Sequence, residues 1–534
     1  VSPGSPEPLQ VILDPAPVVL PLVDLATLPE ARREAEARHL LAVEGGRPFD
    51  LAAGPLARTA LLRLGTDDHL LAVVMHHIVS DAWSLEILLR ELAALYEAGA
   101  AGRPSPLPEL PVQYADFAVW QRRWLRGEVL SRPLDYWRLQ LAGAPAGLDL
   151  PTDFPRPAVQ TFNGAVRSAE LPLAELRAFC RREGVTLFMV LLAGFDALLA
   201  RYSGQEDVLV GSPVANRNRI ETEGLIGFFV NTLVLRLRLG EAVSFRELLL
   251  QVRETTLAAY GFQDLPFETL VEELKPQRDL SRSPFFQVLL SLLTFSGELP
   301  GLEGLRLSPI EGEHRSAKFD LSLFVVDSET APGLLVEHNT DLYEGTTVQR
   351  LLGHLRLLLL AAAADPERRW RDLPLLTEGE REQLLSGFND TGSTPGLDVC
   401  LHQLFEAAAA RVPDQVALIA PDGRLTYREL EARAVRLARR LRSLGLGPER
   451  LAGVLLDRTA DLIVALLAIQ KAGGGYVPLD PSYPKQRVRL MLETARATVL
   501  ITRRHLADDL PGEMRTVFLD PGWESEPIEA ELPA

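Results

Sequence analysis

The sequence predicts a mixed α/β chain built from more than one folding unit. Three observations carry this. Its 534 residues exceed what one hydrophobic core holds, so about three units are expected. Alternating apolar runs and runs with helical spacing follow one another along most of the chain. Around 365–398 the character turns charged and then Ser/Gly/Thr-rich, "DPERRWRDLPLLTEGEREQLLSGFNDTGSTPG", as in an interdomain linker.

Residues 1–25 read as a Pro-rich loop with a short strand, "LQVIL", leading into "LPLVDLATL", and 28–45 as a charged amphipathic helix. "ARTALLRLGTDDHLLAVVMHH" gives two strands around the turn "GTDD". From Ser84 a helix places Leu85, Leu88, Leu89, Leu92 and Tyr96 on one face, with Ser80, Asp81 or Ser84 as its cap. The Pro/Gly-rich stretch 143–164 is a connection. Then "LAELRAFCRREG" stops at Gly184, and Thr186 caps "LFMVLLAGFDALLARYSG". "DVLVGSPVANR" is a strand and turn. "GFFVNTLVLRLRL" (227–239) alternates as a long strand, and "FRELLLQVRETTLAAY" is helical. "SPFFQVLLSLLTF", "FDLSLFVVDS" and "GLLVEHNTDLY" are strand candidates before the helix "TTVQRLLGHLRLLLLAAAAD". Beyond the linker, helix, hairpin, helix, strand, helix and a Gly-rich turn open a second α/β unit.

The net charge is -17, which argues against nucleic acid or an anionic membrane as the main partner. The two cysteines, Cys180 and Cys400, form neither a disulfide framework nor a metal pair, and point to a reducing cytoplasm. The longest apolar stretches are interrupted and too short to span a bilayer, and the N-terminus has no signal-peptide character. Starting at Val1, the chain reads as a piece of a longer one.

The stretch with most chemical content is "MHHIVSDAWS", Met75 to Ser84, at a strand-to-helix junction. An imidazole can accept or share a proton near neutral pH. If the strand continues to His77, then His76 and His77 face opposite sides and only one is the working residue. Asp81 then orients the site through a salt bridge. The competing reading is a satisfied histidine with Asp81 as a helix cap, and the string alone leaves both open.

The wider pattern decides between them. "MHHIVSDAWS" resembles the HHxxxDG motif of nonribosomal peptide synthetase condensation domains. In the family's order follow "YADFAVW" (114–120, as YxDFAVW), "IGFFVNT" (226–232, as IGxFVNT), "FQDLPFE" (262–268, as HQDxPFE, with Phe262 at the first position) and "RDLSRSPFFQ" (278–287, as RDxSRNPLFQ). "LTYREL" (425–430) and "KAGGGYVPLDPSYP" (471–484) resemble the first signatures of an adenylation domain, whose phosphate loop and later motifs are not in this sequence.

The resemblance implies two chloramphenicol acetyltransferase-like lobes in a V with a central tunnel, followed by a partial adenylation N-terminal subdomain. It places an N-lobe at 1–155 lacking the family's first motifs, a C-lobe at 156–375, a linker at 376–398 and the adenylation fragment at 399–534. It implies peptide-bond formation. A donor acyl or peptidyl thioester on an upstream carrier protein passes to the amine of a downstream carrier-bound aminoacyl thioester. No cofactor is bound directly, because the partner carriers bring the phosphopantetheine arms. His77 is the central residue implied, as base or as hydrogen-bond partner of the tetrahedral centre. His76 is structural, and Asp81 organises the loop. Ala82 stands where the family has Gly. Trp83 walls the tunnel or packs under the helix, Ser84 follows in the same loop, and Asn231 leans structural. In the family an Arg from the N-terminal region pairs with the motif Asp; here Arg58, Arg278 and Arg282 are the alternatives. The competing function is an inactive condensation-like platform that recruits partner proteins.

Overall fold

The computed structural model describes residues 9–14, 17–240, 243–276, 279–293, 302, 304–308, 310, 316–326, 333–392, 399–507 and 514–525. They fall into two compact units, Val1–Asp390 and Thr391–Ala534.

The first unit begins with β1 (Leu22–Asp24), α1 (Glu30–Gly46), β2 (Ala57–Arg63) and β3 (His69–Met75). These strands form a sheet in the order β1-β2-β3, with β1 parallel to β2 and β2 antiparallel to β3. "GTDD" makes the predicted turn, closed by the Leu64 amide on the Asp68 carbonyl at 2.9 Å. Leu62, Leu70 and Ala72 alternate onto one face and bury it with Leu25 and Ala37 of the adjoining segment and α1. Residues 9–13, expected as a strand, carry no regular structure.

Next come α2 (Ala82–Ala100), α3 (Tyr114–Trp124) and α4 (Glu128–Leu141). The leucine face expected on α2 is not its buried face. Leu85, Leu92 and Tyr96 are 45%, 42% and 48% exposed, while Ser84, Ile87, Ala93 and Ala98 are buried. Polar bonds at Ser84, described below, fix the rotation of the helix and outweigh its leucine periodicity.

The larger core is built by β4 (Gly164–Glu170), α5 (Leu173–Glu183), α6 (Leu187–Ser203), β5 (Asp207–Val214), α7 (Ile220–Glu223), β6 (Asn231–Arg238), α8 (Phe245–Tyr260), α9 (Phe267–Leu274), β7 (Val288–Leu293), β8 (Leu321–Val326), β9 (Gly333–Asn339) and α10 (Gly345–Ala364). Six strands pair in the order β4-β9-β8-β7-β5-β6, mixed parallel and antiparallel. The predicted helix signals act as written. Gly184 adopts a left-handed C-cap, and Thr186 accepts the Met189 amide at the head of α6. α6 is buried from Phe188 to Ala200 at the centre of this core. The strand expected over 227–239 begins only at Asn231, because 227–230 form a loop bonded elsewhere.

Among the described residues no single helix is long and apolar enough to cross a membrane. The segment expected as linker contains α11 (Glu378–Glu382). Glu380 on it meets His354 Nε2 at 3.0 Å, and His354 Nδ1 meets the Tyr202 hydroxyl at 2.6 Å, which ties α11 to α10 and α6.

The second unit contains α12 (Leu401–Arg411), the hairpin β10 (Val416–Ala420) and β11 (Gly423–Thr426), α13 (Tyr427–Ser443), β12 (Leu451–Leu455), α14 (Ala460–Ala472), β13 (Gly475–Leu479), α15 (Lys485–Thr494), β14 (Val499–Thr502) and β15 (Arg515–Phe518). Its parallel sheet runs β13-β12-β14-β15 over its own apolar core. Gly473 ends α14 at φ +86, the turn role its sequence suggested.

Candidate active site

β3 ends at Met75, opposite Ala57. The His76 amide still donates to the Leu56 carbonyl at 2.9 Å, but the chain then closes a single 3-10 turn, His77–Val79. The strand therefore does not reach His77, and simple alternation does not assign the two rings. His76 caps the turn: its Nδ1 accepts the Ile78 amide at 3.0 Å, and its ring meets Phe49 edge-on at 5.8 Å. Its acceptor nitrogen is spent on the backbone.

His77 is an exposed residue whose Nδ1 lies 2.6 Å from the Ser80 carbonyl. A carbonyl only accepts, so this contact assigns the proton to Nδ1 and leaves Nε2 of the neutral ring as an acceptor. The ring also packs against Phe228 at 4.9 Å between centroids and an interplanar angle of 69°.

Asp81 is 3% exposed and caps α2. Its carboxylate accepts the Ser84 amide at 2.8 Å, the Phe229 amide at 3.0 Å and the Arg217 Nη2 group at 3.1 and 3.3 Å. The Ser84 hydroxyl lies 2.7 Å from the same carboxylate and 2.9 Å from the Gly227 carbonyl; it accepts the Gly227 amide at 3.0 Å and Arg217 Nη2 at 2.9 Å. Arg217 Nη1 donates to the carbonyls of Thr222 and Leu225, and the guanidinium covers the Phe229 ring at 4.1 Å. Burial lowers the Arg217 pKa from its ordinary value, and the Asp81 charge opposes that shift.

Among the described residues the partner of Asp81 is thus Arg217, and neither Arg58 nor Arg282. Arg58 pairs with Glu44 and stacks on Phe49. Arg282 pairs with Asp149 at 2.8 Å. Arg278 lies outside the described residues. Arg217 lies 136 residues beyond Asp81, in the turn after β5, and local sequence pattern carries no signal for that pairing. The site also holds Tyr114 of "YADFAVW". Its hydroxyl donates to the Phe228 carbonyl at 2.9 Å. Burial raises its pKa, and the Asp81 charge adds to that shift.

Ala82 is the exposed first residue of α2 and has no positive φ, so its methyl group causes no backbone strain. Trp83 is 44% exposed and donates its indole N–H to the Glu223 carbonyl at 3.0 Å; it is not buried under the helix. Asn231 is buried. Its amide donates to the carbonyls of Gln263 and Leu265 at 2.7 Å each, and its oxygen accepts the amides of Thr232 and Phe267 at 2.9 Å each. It pins the 263–267 segment to β6 and has no capacity left for a substrate.

The structure therefore brings His77, Asp81 and Ser84 together with Arg217, Tyr114 and the 227–229 loop. Among the described residues no cluster of His, Cys, Asp or Glu is placed to hold a metal ion. A cavity of about 1060 Å³ lies between the end of α4 and the segments 271–276 and 279–285, and His77 does not line it.

Comparison with known proteins shows the family. The family described as Condensation domain matches residues 4–385, and that described as AMP-binding enzyme matches 405–530. Two relatives are components of the linear gramicidin synthase of Brevibacillus parabrevis. One is 46% identical over 98% of this chain, which covers 10% of that protein. The other is 44% identical over 97% of this chain and 7% of its own length. Phosphinothricin tripeptide synthetase PhsC of Streptomyces viridochromogenes is 45% identical over 96% of this chain and 48% of its length. The chain thus spans a tenth or less of the two gramicidin synthase components. Among solved structures, a four-domain nonribosomal peptide synthetase superposes with a TM-score of 0.79 at 24% identity over 95% of this chain and 39% of its own, a likeness of fold. The X-domain from teicoplanin biosynthesis superposes with a TM-score of 0.63 at 29% identity, covering 69% of this chain and 83% of its own, and is also known in complex with OxyB.

Proposed function

This chain belongs to the condensation-domain family, and from that premise we propose that it forms peptide bonds in nonribosomal peptide synthesis, with His77 at the reacting centre. The observation that carries the reading is the bond from His77 Nδ1 to the Ser80 carbonyl, which leaves Nε2 free on an exposed ring.

The substrates are two thioesters. A donor acyl or peptidyl group arrives on the phosphopantetheine arm of an upstream carrier protein, and an aminoacyl group on that of a downstream carrier. The acceptor's α-amine attacks the donor carbonyl carbon. A C–N bond forms, the C–S bond breaks, and the donor arm leaves as a thiol that takes up the proton the amine gives up. Nε2 of His77 accepts a hydrogen bond from the amine N–H, aims the nitrogen lone pair at the carbonyl, and receives that proton before the thiolate does. Asp81 makes no hydrogen bond to the imidazole; it holds the loop that packs against it. The adenylation segment in the same chain and the cytoplasmic setting of carrier chemistry complete the reading.

The test is a condensation assay read by intact-protein mass spectrometry, with a loaded donor carrier and a loaded acceptor carrier. The wild type is expected to lengthen the acceptor, and His77→Ala to slow transfer by about 10²-fold or more, as loss of a proton-transfer group does. Equal transfer by both proteins would remove His77 from the chemistry. The likeness to the X-domain, which is known bound to OxyB, supports a second reading as a recruiting platform. Absence of transfer with several donor–acceptor pairs would favour it.

A further inference from the structure

We propose that Phe228 is a specificity-determining residue of this site: its ring forms the wall beside His77 and limits the size of the acceptor's side chain. The inference rests on the function proposed above.

Phe228 is half-buried, and its ring meets the His77 ring at 4.9 Å and 69°. His77 is anchored on its Nδ1 side by Ser80, so a substrate meets its Nε2 side, with the Phe228 ring packed beside the imidazole. The acceptor's side chain is two bonds from the amine nitrogen that Nε2 meets. It must share the space beside the imidazole with the aromatic ring.

What makes this wall selective is its rigidity. The Gly227 amide donates to the Ser84 hydroxyl, whose oxygen also lies 2.9 Å from the Gly227 carbonyl. The Phe228 carbonyl accepts the Tyr114 hydroxyl, and the Phe229 amide is held by Asp81. Three consecutive residues are thereby fixed to side chains that are themselves buried or partly buried and hydrogen-bonded, and Phe229 is wedged between Arg217 and Tyr114. Such a backbone cannot shift the Cα of Phe228 to admit a larger group without breaking these bonds, and the ring is left only its side-chain rotamers. The same network gives Asp81 and Ser84 a route to His77 that needs no direct contact: they position Phe228, and Phe228 positions the imidazole.

The experiment measures transfer from an N-acetyl-leucyl donor carrier to glycyl-, leucyl- and tryptophyl-loaded acceptor carriers by the 534-residue chain and its Phe228→Ala and Phe228→Leu variants. Thermal melts and circular dichroism establish that each variant is folded. Phe228→Ala is expected to raise the tryptophyl-to-glycyl rate ratio about tenfold or more, with Phe228→Leu between it and wild type. The ¹⁵N and ¹H resonances of the His77 ring, assigned by comparison with His77→Gln, are expected to move in Phe228→Ala because a neighbouring ring is lost. A rate ratio within twofold of wild type in both folded variants overturns the proposal while leaving peptide-bond formation standing. Failure of wild type with every acceptor overturns the proposed function, and this inference with it.

Discussion

At the residue scale, Asp81 and Arg217 show why a buried ion pair needs more than its two charges. Their side chains are 0% and 1% exposed. Desolvation of that order costs several kcal/mol per ion and is offset only when the remaining donors and acceptors are also satisfied. Here Ser84, the Phe229 amide and the carbonyls of Thr222 and Leu225 meet that need, although Arg217 Nε has no partner. Asp196 is the opposite case. It sits fully buried within α6, and neither carboxylate oxygen has a hydrogen-bond partner among the described residues. Burial therefore holds its pKa well above the usual carboxylate range, and the folded protein keeps a proton that the unfolded chain has released. The sign follows. Above the unfolded carboxyl value of 3.8 the native state binds more protons, so stability falls as pH rises toward the folded value, by at most about 1.4 kcal/mol per pH unit. Asp196→Asn is expected to flatten that slope. Chemical denaturation of both proteins between pH 5 and 8 checks it, and parallel slopes would show that Asp196 finds a charged-state partner.

At the scale of elements, the 76–84 loop is held by two segments that alternation and periodicity misassign. Residues 227–230 alternate like the strand that follows, yet the Gly227 amide, the Phe228 carbonyl and the Phe229 amide pair with Ser84, Tyr114 and Asp81. α2 carries leucines at helical spacing, yet turns Ser84 inward because that hydroxyl has four polar neighbours. Both local patterns yield to a tertiary hydrogen-bond network. Gly227 is the tightest point of the loop: a Cβ there would lie 2.3 Å from the Tyr114 ring. Gly227→Ala is expected to push Tyr114 aside, loosen the Phe228 carbonyl and lower transfer by about tenfold or more. Tyr114→Phe, which loses one hydrogen bond and keeps the ring, is expected to cost about 1 kcal/mol of stability. Comparing melting temperature and transfer rate in the two variants checks this; an equally small effect of both would show that the loop adapts.

At the scale of the whole molecule, the described residues carry separate apolar cores in the two units, one around the six-stranded sheet and one around the parallel sheet of the second unit. Separate cores unfold separately unless their interface is extensive and apolar. Scanning calorimetry is expected to resolve at least two transitions, with the calorimetric enthalpy exceeding the van't Hoff value. Limited proteolysis is expected to release fragments corresponding to the two units. A single two-state transition would show that the units are thermodynamically coupled.

What the sequence determined by itself lay in helix caps, turns and contiguous motifs. This includes the mixed α/β class, the Gly184 and Thr186 helix signals, the turn at 65–68 and the family carried by the 75–84 string and its companions. These are legible because caps, turns and amphipathic periods act over a few residues. Only the tertiary structure decided which arginine meets Asp81, which ring packs on His77, which face of α2 is buried and where the strand after Gly227 begins. Each of those depends on groups brought together across a hundred residues or more. A buried charge accepts any partner whose geometry fits, and sequence spacing does not encode that geometry.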